Sequence, residues 1–249
     1  MSDTPVIAAP IADLCRTPDG PRDRQLLMGE GVTVLRIQDG WTEVTAARDG
    51  YHGYLRESAL TTGTPTHRIS VRATHLYPKP DFKTPERLSL SHGARLTVLS
   101  TGARFAETPQ GHVPLAHLSP LESDEADPVS VAALYLGTPY LWGGNSSFGI
   151  DCSGLVQAGC LTCAIPCPGD SGPQEAELGT PLPEDAPLQR GDLLFWKGHV
   201  AWVADAETLL HANAHHMAVA YEPITYAIAR IDAQGDGPVT ARKRLKGKP

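Results

Sequence analysis

The sequence predicts an α+β protein in which small β-barrels precede a domain of mixed helix and sheet. Three observations predict it. Short β-branched segments divided by turn pairs fill the first half, a similar pattern recurs within that half, and helical segments followed by strands fill the second. The composition suits this reading: 24 Gly and 22 Pro among 249 residues, with 6% aromatics, mark many turns and short elements.

The first barrel is assigned to residues 5–62. Residues 32–37 (VTVLRI) carry β-branched side chains and end at the turn pair Asp39-Gly40, and residues 41–46 (WTEVTA) resume the alternation up to Asp49-Gly50. Gly53-Tyr54-Leu55 then leads to Leu60. A second barrel is assigned to residues 67–120, with a strand at 96–99 (LTVL), a turn at Thr101-Gly102, a strand near 104–107 and a turn at Gln110-Gly111. The segments GYLRESAL (53–60) and GHVPLAHL (111–118) share a Gly-x-apolar opening and a terminal Leu. One larger β domain is the alternative.

The stretch 121–128 (LESDEADP) is acidic and turn-rich, as a linker would be, and the third domain is assigned to 124–249. There the pattern predicts a helix over 129–136, a Gly-rich loop over 137–149 and a second helix over 154–165 (GLVQAGCLTCAI). Strands follow at 193–196, 200–204 and 208–212.

A net charge of −7 argues against a nucleic-acid partner, because binding phosphates requires a basic face. The basic cluster Arg242, Lys243, Arg244, Lys246 and Lys248 reads as a solvated tail. No apolar stretch approaches the roughly 20 residues needed to cross a membrane. The N-terminal segment, with Asp3 and early prolines, does not have the form of a secretory signal. A cytoplasmic, reducing location is therefore expected, and five cysteines, an odd number, fit it better than a disulfide framework.

The chemistry centres on Asp151-Cys152-Ser153-Gly154, where the Gly-rich loop meets the second helix. A thiol at a helix N-terminus is favoured as thiolate, and backbone N–H groups there can hold an oxyanion. Cys152 is therefore the expected nucleophile. Cys160, Cys163 and Cys167 recur at three and four residues and read as core packing; zinc is the alternative, with spacing unlike a paired structural site. No metal or other cofactor is expected. Gly198-His199-Val200 opens a strand, so His199 can reach a cleft as the base. A third polar group must orient it. His211 ranks first, Asn213 second, and His215 and His216 are rivals in a predicted turn.

Tyr140-Leu141-Trp142-Gly143-Gly144, Asp151-Cys152-Ser153-Gly154-Leu155, Gly191-Asp192-Leu193, Gly198-His199-Val200 and Leu210-His211-Ala212 together resemble the NlpC-type papain-like cysteine peptidases of bacterial cell walls. The resemblance spans residues 129–222 and implies Cys152, His199 and His211 as the catalytic set, on a helix packed against a small antiparallel sheet. The first half, with Gly40-Trp41 and Gly53-Tyr54-Leu55, resembles bacterial SH3-like domains; the second copy has Ala103 where Trp would stand.

With the segment Pro168-Gly169-Asp170-Ser171-Gly172-Pro173-Gln174, the whole resembles the γ-D-glutamyl-L-diamino-acid endopeptidases. That resemblance implies a peptidoglycan-derived peptide substrate with a free N-terminal L-alanine. It also implies a pocket lined by Tyr140, Asp151, Ser153, Asp170 and Ser171, with Tyr51 of a barrel and, more weakly, Glu30. Asp170 would meet the substrate ammonium. Recycling of imported wall peptides is the expected context. An inactive peptide-binding module, or an amidase or acyltransferase using the same Cys-His chemistry, are the alternatives. The sequence leaves the oligomeric state and the diamino acid open.

Overall fold

A computed structural model describes residues 4–245, which divide into two compact units. The first runs to Asp124 and takes in Asn145–Phe148; the second comprises Glu125–Gly144 and the chain from Gly149 onward.

The first unit is built of short antiparallel strands. A five-stranded sheet has the order Arg22–Leu27, Ile11–Cys15, His52–Arg56, Trp41–Ala46, Val32–Gln38. Asp39 and Gly40 both adopt positive φ (53° and 76°) between the paired residues Gln38 and Trp41, which makes a two-residue hairpin turn whose twist matches its strands. Ile7, Leu14, Leu26, Val44 and Leu55 fill one apolar core; Ile69, Leu76, Leu90, Leu96 and Val113 belong to a second.

The expected strand over 96–99 is confined to Arg95–Leu96. Beyond it the chain turns to side-chain partners, with the Val98 amide donating to Thr66 Oγ1. The strand Arg22–Leu27 (RDRQLL) gave no apolar alternation because polar Arg24 and Gln25 occupy buried positions.

The second unit carries a six-stranded antiparallel sheet in the order Thr180–Pro181, Ala241–Arg244, Asp192–Trp196, His199–Val203, Thr208–Asn213, Ala218–Pro223. Helices α1 (Pro128–Ala133), α2 (Cys152–Thr162), α3 (Ser171–Glu177) and α4 (Ile224–Ala233) accompany it. Both faces of the sheet are buried, so its strands read as near-continuous apolar runs. Leu193, Phe195, Val200, Trp202, Leu210 and Ala212 share a core with α1 and α2 residues; Leu194, Trp196, Ala201, Val203 and Leu209 share one with α4.

Local chemistry sets the helix ends. Asp127 caps α1 by accepting from the Val129 amide at 2.9 Å, with Pro128 in the first turn. The helix stops at Ala133, short of the expected 136. Leu134, Tyr135 and Leu136 instead bond three residues back, a tightened 3₁₀-type turn leading to Gly137. Helix α2 starts two residues earlier than expected because Asp151 caps it, and ends at Thr162. Ala164 takes the left-handed conformation, while the Ile165 and Ala164 amides bond back to Cys160 and Leu161 in the Schellman pattern.

The described part of the basic cluster is not a solvated tail. Arg242, Lys243 and Arg244 lie in an internal strand of the sheet, and Lys243 is buried. Arg244 makes a two-pronged ion pair with the buried Asp192 carboxylate, 2.8 Å at each prong. Lys246 and Lys248 lie outside the described residues. Among those described, no helix is long and apolar enough to cross a membrane.

Candidate active site

Cys152 opens α2. The Asp151 carboxylate before it accepts from the Gly154 amide at 2.6 Å, the Ser153 hydroxyl at 3.0 Å and the Gly143 amide at 2.9 Å. One buried carboxylate thus ties the glycine loop to the first turn of α2 and fixes where the cysteine backbone stands. The Leu155 amide bonds the Asp151 carbonyl, so the helical ladder begins directly behind Cys152.

Cys152 Sγ lies 4.0 Å from the Gly198 carbonyl oxygen, immediately before His199. Tyr140 stands beside the same thiol. Its hydroxyl pKa is pushed well up, chiefly by burial and then by the Cys152 and Asp151 charges.

From His199 a chain of polar contacts runs inward. Its Nε2 is 2.9 Å from His211 Nδ1, and His211 Nε2 is 2.8 Å from Glu222 Oε2. Arg230 of α4 clamps Glu222 with two donors, each at 2.8 Å. Burial alone would raise the Glu222 pKa, but hydrogen bonds from Arg230 and His211 hold it well below the usual carboxylate range.

An ionised carboxylate only accepts, so His211 Nε2 carries hydrogen and its Nδ1 is the acceptor. His199 Nε2 must then donate, which leaves His199 Nδ1 as the basic nitrogen. Burial, then the influence of His211 and Arg230, pushes the His199 pKa down to about 3 against the pull of Glu222. The His211 pKa is also lowered, by burial first. Both imidazoles are therefore neutral near pH 7, and His199 can accept a thiol proton.

The rivals for the orienting role make other hydrogen bonds. Asn213 Oδ1 accepts from the His216 amide at 2.8 Å and lies 3.0 Å from His216 Nδ1, so those two serve their own turn. His215 packs edge-on against His216.

Asp170 precedes α3 as its N-cap residue and Ser171 begins that helix. Gln174, fully buried, holds this segment. Its Nε2 is 2.9 Å from both the Ser153 and Pro168 carbonyls. Tyr51 is half-buried against the first-barrel core, and Glu30 is held by Arg48 at 2.9 Å and the Leu27 amide at 2.8 Å.

Cys160, Cys163 and Cys167 are buried, and the hydrogen bond to Cys167, then desolvation, raises the Cys160 thiol well above its ordinary pKa. Among the described residues no group of three or more His, Cys, Asp or Glu side chains could hold a metal ion.

Sequence reasoning missed Glu222, Arg230 and Gln174. An acidic residue in an otherwise apolar strand (AVAYEP), eight residues before an arginine on an amphipathic segment, was the available signal for the first two.

The chain matches the model of the bacterial dipeptidyl-peptidase Sh3 domain over residues 14–60 and that of the NlpC/P60 family over residues 137–231. It is 30% identical over 217 residues to the γ-D-glutamyl-L-lysine dipeptidyl-peptidase of Bacillus subtilis (strain 168), covering 76% of this chain and 71% of the relative. It is 28% identical over 237 residues to the Bacillus cereus protein of the same name, covering 81% and 70%. The crystal structure of an NlpC/P60 family protein from Bacillus cereus has the same fold, with a TM-score of 0.80 over 98% of this chain and 99% of that one at 23% identity.

Proposed function

The chain belongs to the NlpC/P60 family of cysteine peptidases, and from that premise we propose that it hydrolyses the γ-D-glutamyl–diamino-acid bond of peptidoglycan-derived peptides carrying a free N-terminal L-alanine. The observation that supports the chemistry best is His199 held by a buried His211–Glu222–Arg230 chain of hydrogen bonds, next to a cysteine at a helix N-terminus. The bond chosen follows the activity named for the two Bacillus relatives.

In this reading the Cys152 thiol gives its proton to His199 Nδ1 and the thiolate attacks the γ-glutamyl carbonyl carbon. The Cys152 backbone N–H, at the first turn of α2, faces the developing oxyanion. The tetrahedral adduct collapses with cleavage of the C–N bond, and the imidazolium protonates the departing amine. Water then adds to the thioester, giving a proton to His199; the adduct collapses with cleavage of the C–S bond, the carboxylic acid leaves, and the imidazolium returns its proton to the Cys152 sulfur.

Asp170 would pair with the L-alanine ammonium, and Tyr140, Asp151, Ser153 and Ser171 would line the acyl half of the pocket. For Asp151 this means its edge only, since its carboxylate already caps α2. The domain limits belong to the same proposal: barrels at 5–62 and 67–120, and a catalytic domain at 124–249. So does a cytoplasmic place in recycling wall peptides, which five cysteines outside any disulfide support.

The test is product analysis on L-Ala-γ-D-Glu-L-Lys, and on the same peptide with an acetylated alanine. The expected result is release of L-Ala-γ-D-Glu by the wild type, abolished in Cys152→Ala and weakened at least tenfold by acetylation. Undiminished release by Cys152→Ala would remove the mechanism; equal cleavage of both peptides would remove the role of Asp170.

A further inference from the structure

The second unit has a cleft of about 170 Å³ that opens on His199 and is lined also by Tyr140, Lys197, His215, Arg230 and Asp236. Arg230 is already matched by Glu222. Lys197 and Asp236 are exposed and form no close ion pair among the described residues, although Asp236 also helps raise the Arg230 pKa, so a cation and a second anion line the same cleft.

We propose that this cleft is the leaving-group subsite, taking the diamino acid with its carboxylate toward Lys197 and its side-chain ammonium toward Asp236. The inference rests on the γ-glutamyl reading above and adds what that reading leaves out. The chemistry of acylation dictates the position. The departing amine takes its proton from His199, so the residue carrying that amine must lie against the His199 ring while the acyl half extends away. Tyr140, which lines the cleft and also stands beside the Cys152 thiol, marks the junction.

A diamino acid at this point carries a carboxylate and, on a flexible stem, an ammonium. A cleft with one lysine and one aspartate matches that pair of charges, whereas a neutral amino acid would leave the aspartate unmatched. Both partners are at the solvent edge, so each contributes discrimination and not the bulk of binding.

The experiment measures kcat/KM for L-Ala-γ-D-Glu joined to L-lysine, L-norleucine and L-lysinamide, in the wild type, Asp236→Asn and Lys197→Gln. Norleucine keeps the aliphatic stem and drops the ammonium; lysinamide drops the carboxylate. The expected result is that Asp236→Asn lowers the lysine-over-norleucine ratio about fivefold, and Lys197→Gln lowers the acid-over-amide ratio by a similar factor. Each variant is to act on its own ratio. Ratios that stay at the wild-type values in both variants, with the wild type cleaving the lysine peptide, would overturn the subsite and leave the γ-glutamyl reading standing. A wild type that releases none of the three leaving groups would remove that reading, and this inference with it.

Discussion

Glu222→Gln probes the relay most directly, because it removes one charge and almost no volume. In the wild type the carboxylate receives His211 Nε2 and both Arg230 donors at 2.8 Å, with the Glu222 side chain 1% exposed and that of His211 0% exposed. A hydrogen bond to an ionised partner contributes about 1.5–3 kcal/mol and a neutral one about 0.5–1.5 kcal/mol. The exchange therefore costs about 1–2 kcal/mol at the His211 contact.

The sign follows from what Glu222 does to the imidazoles: it raises the pKa of both His199 and His211, against burial and Arg230. Removing it makes the imidazolium that His199 becomes during proton transfer harder to form. Acylation should slow by roughly 5–30-fold, with KM little changed. The glutamine also leaves Arg230 without its counter-charge, and breaking a buried pair costs about 3–5 kcal/mol of stability, less here because Arg230 reaches the edge of the cleft. Two readouts separate the effects: a denaturation curve for stability, and the rate of Cys152 alkylation by iodoacetamide for proton transfer without substrate. A folded variant with wild-type kcat and wild-type alkylation rate would refute the relay.

His92 is buried, and burial, then Arg68, lowers its pKa from 6.5 to about 4. The unfolded chain takes up that proton as pH falls below 6.5 while the folded chain does not until about 4. This contribution is therefore complete above pH 6.5, is lost across that window, and amounts to about 3 kcal/mol. Urea denaturation at several pH values should show the slope, and His92→Gln should flatten it; an identical slope in both would refute the assignment. Gly159→Ala should cost about 1–3 kcal/mol, because a Cβ there would sit 2.6 Å from the Pro128 carbonyl oxygen and 3.2 Å from Trp202, where α2 meets α1. A thermal midpoint at or above the wild-type value would show that the contact relaxes. Asp151→Ala should lose about 1–2 kcal/mol of stability with the cap and also slow Cys152 alkylation, since the same carboxylate holds Gly143. Loss of stability with an unchanged alkylation rate would confine Asp151 to a capping role.

Cys152 and His199 stood out in the sequence because each carries a local signal. Cys152 follows a glycine loop and precedes an apolar helix, and His199 opens a strand after a glycine. The sheet was legible for a similar reason: strands buried on both faces, such as Asp192–Trp196, cannot be mistaken for solvent-facing ones. Strands that bury charge were not. Arg22–Leu27 places Arg24 and Gln25 inside, and Ala241–Arg244 places Lys243 inside, so both looked like surface chain until their partners were known.

The deeper part of the site was hidden for a reason of register. Residues 211 and 222 are joined because Thr208–Asn213 pairs antiparallel with Ala218–Pro223, His211 opposite Ala220 and Leu209 opposite Glu222. Glu222 thus sits diagonally across from His211 on the same face of the sheet. A slip of one residue would send the carboxylate to the face packed by α2, among Leu210, Ala212 and Val219, where an unpaired charge could not remain. The register and the relay therefore support each other. The apolar residues of the strand select the face on which Glu222 lies, and Arg230, delivered by the helix that follows the strand, supplies the charge that allows the carboxylate to remain ionised there.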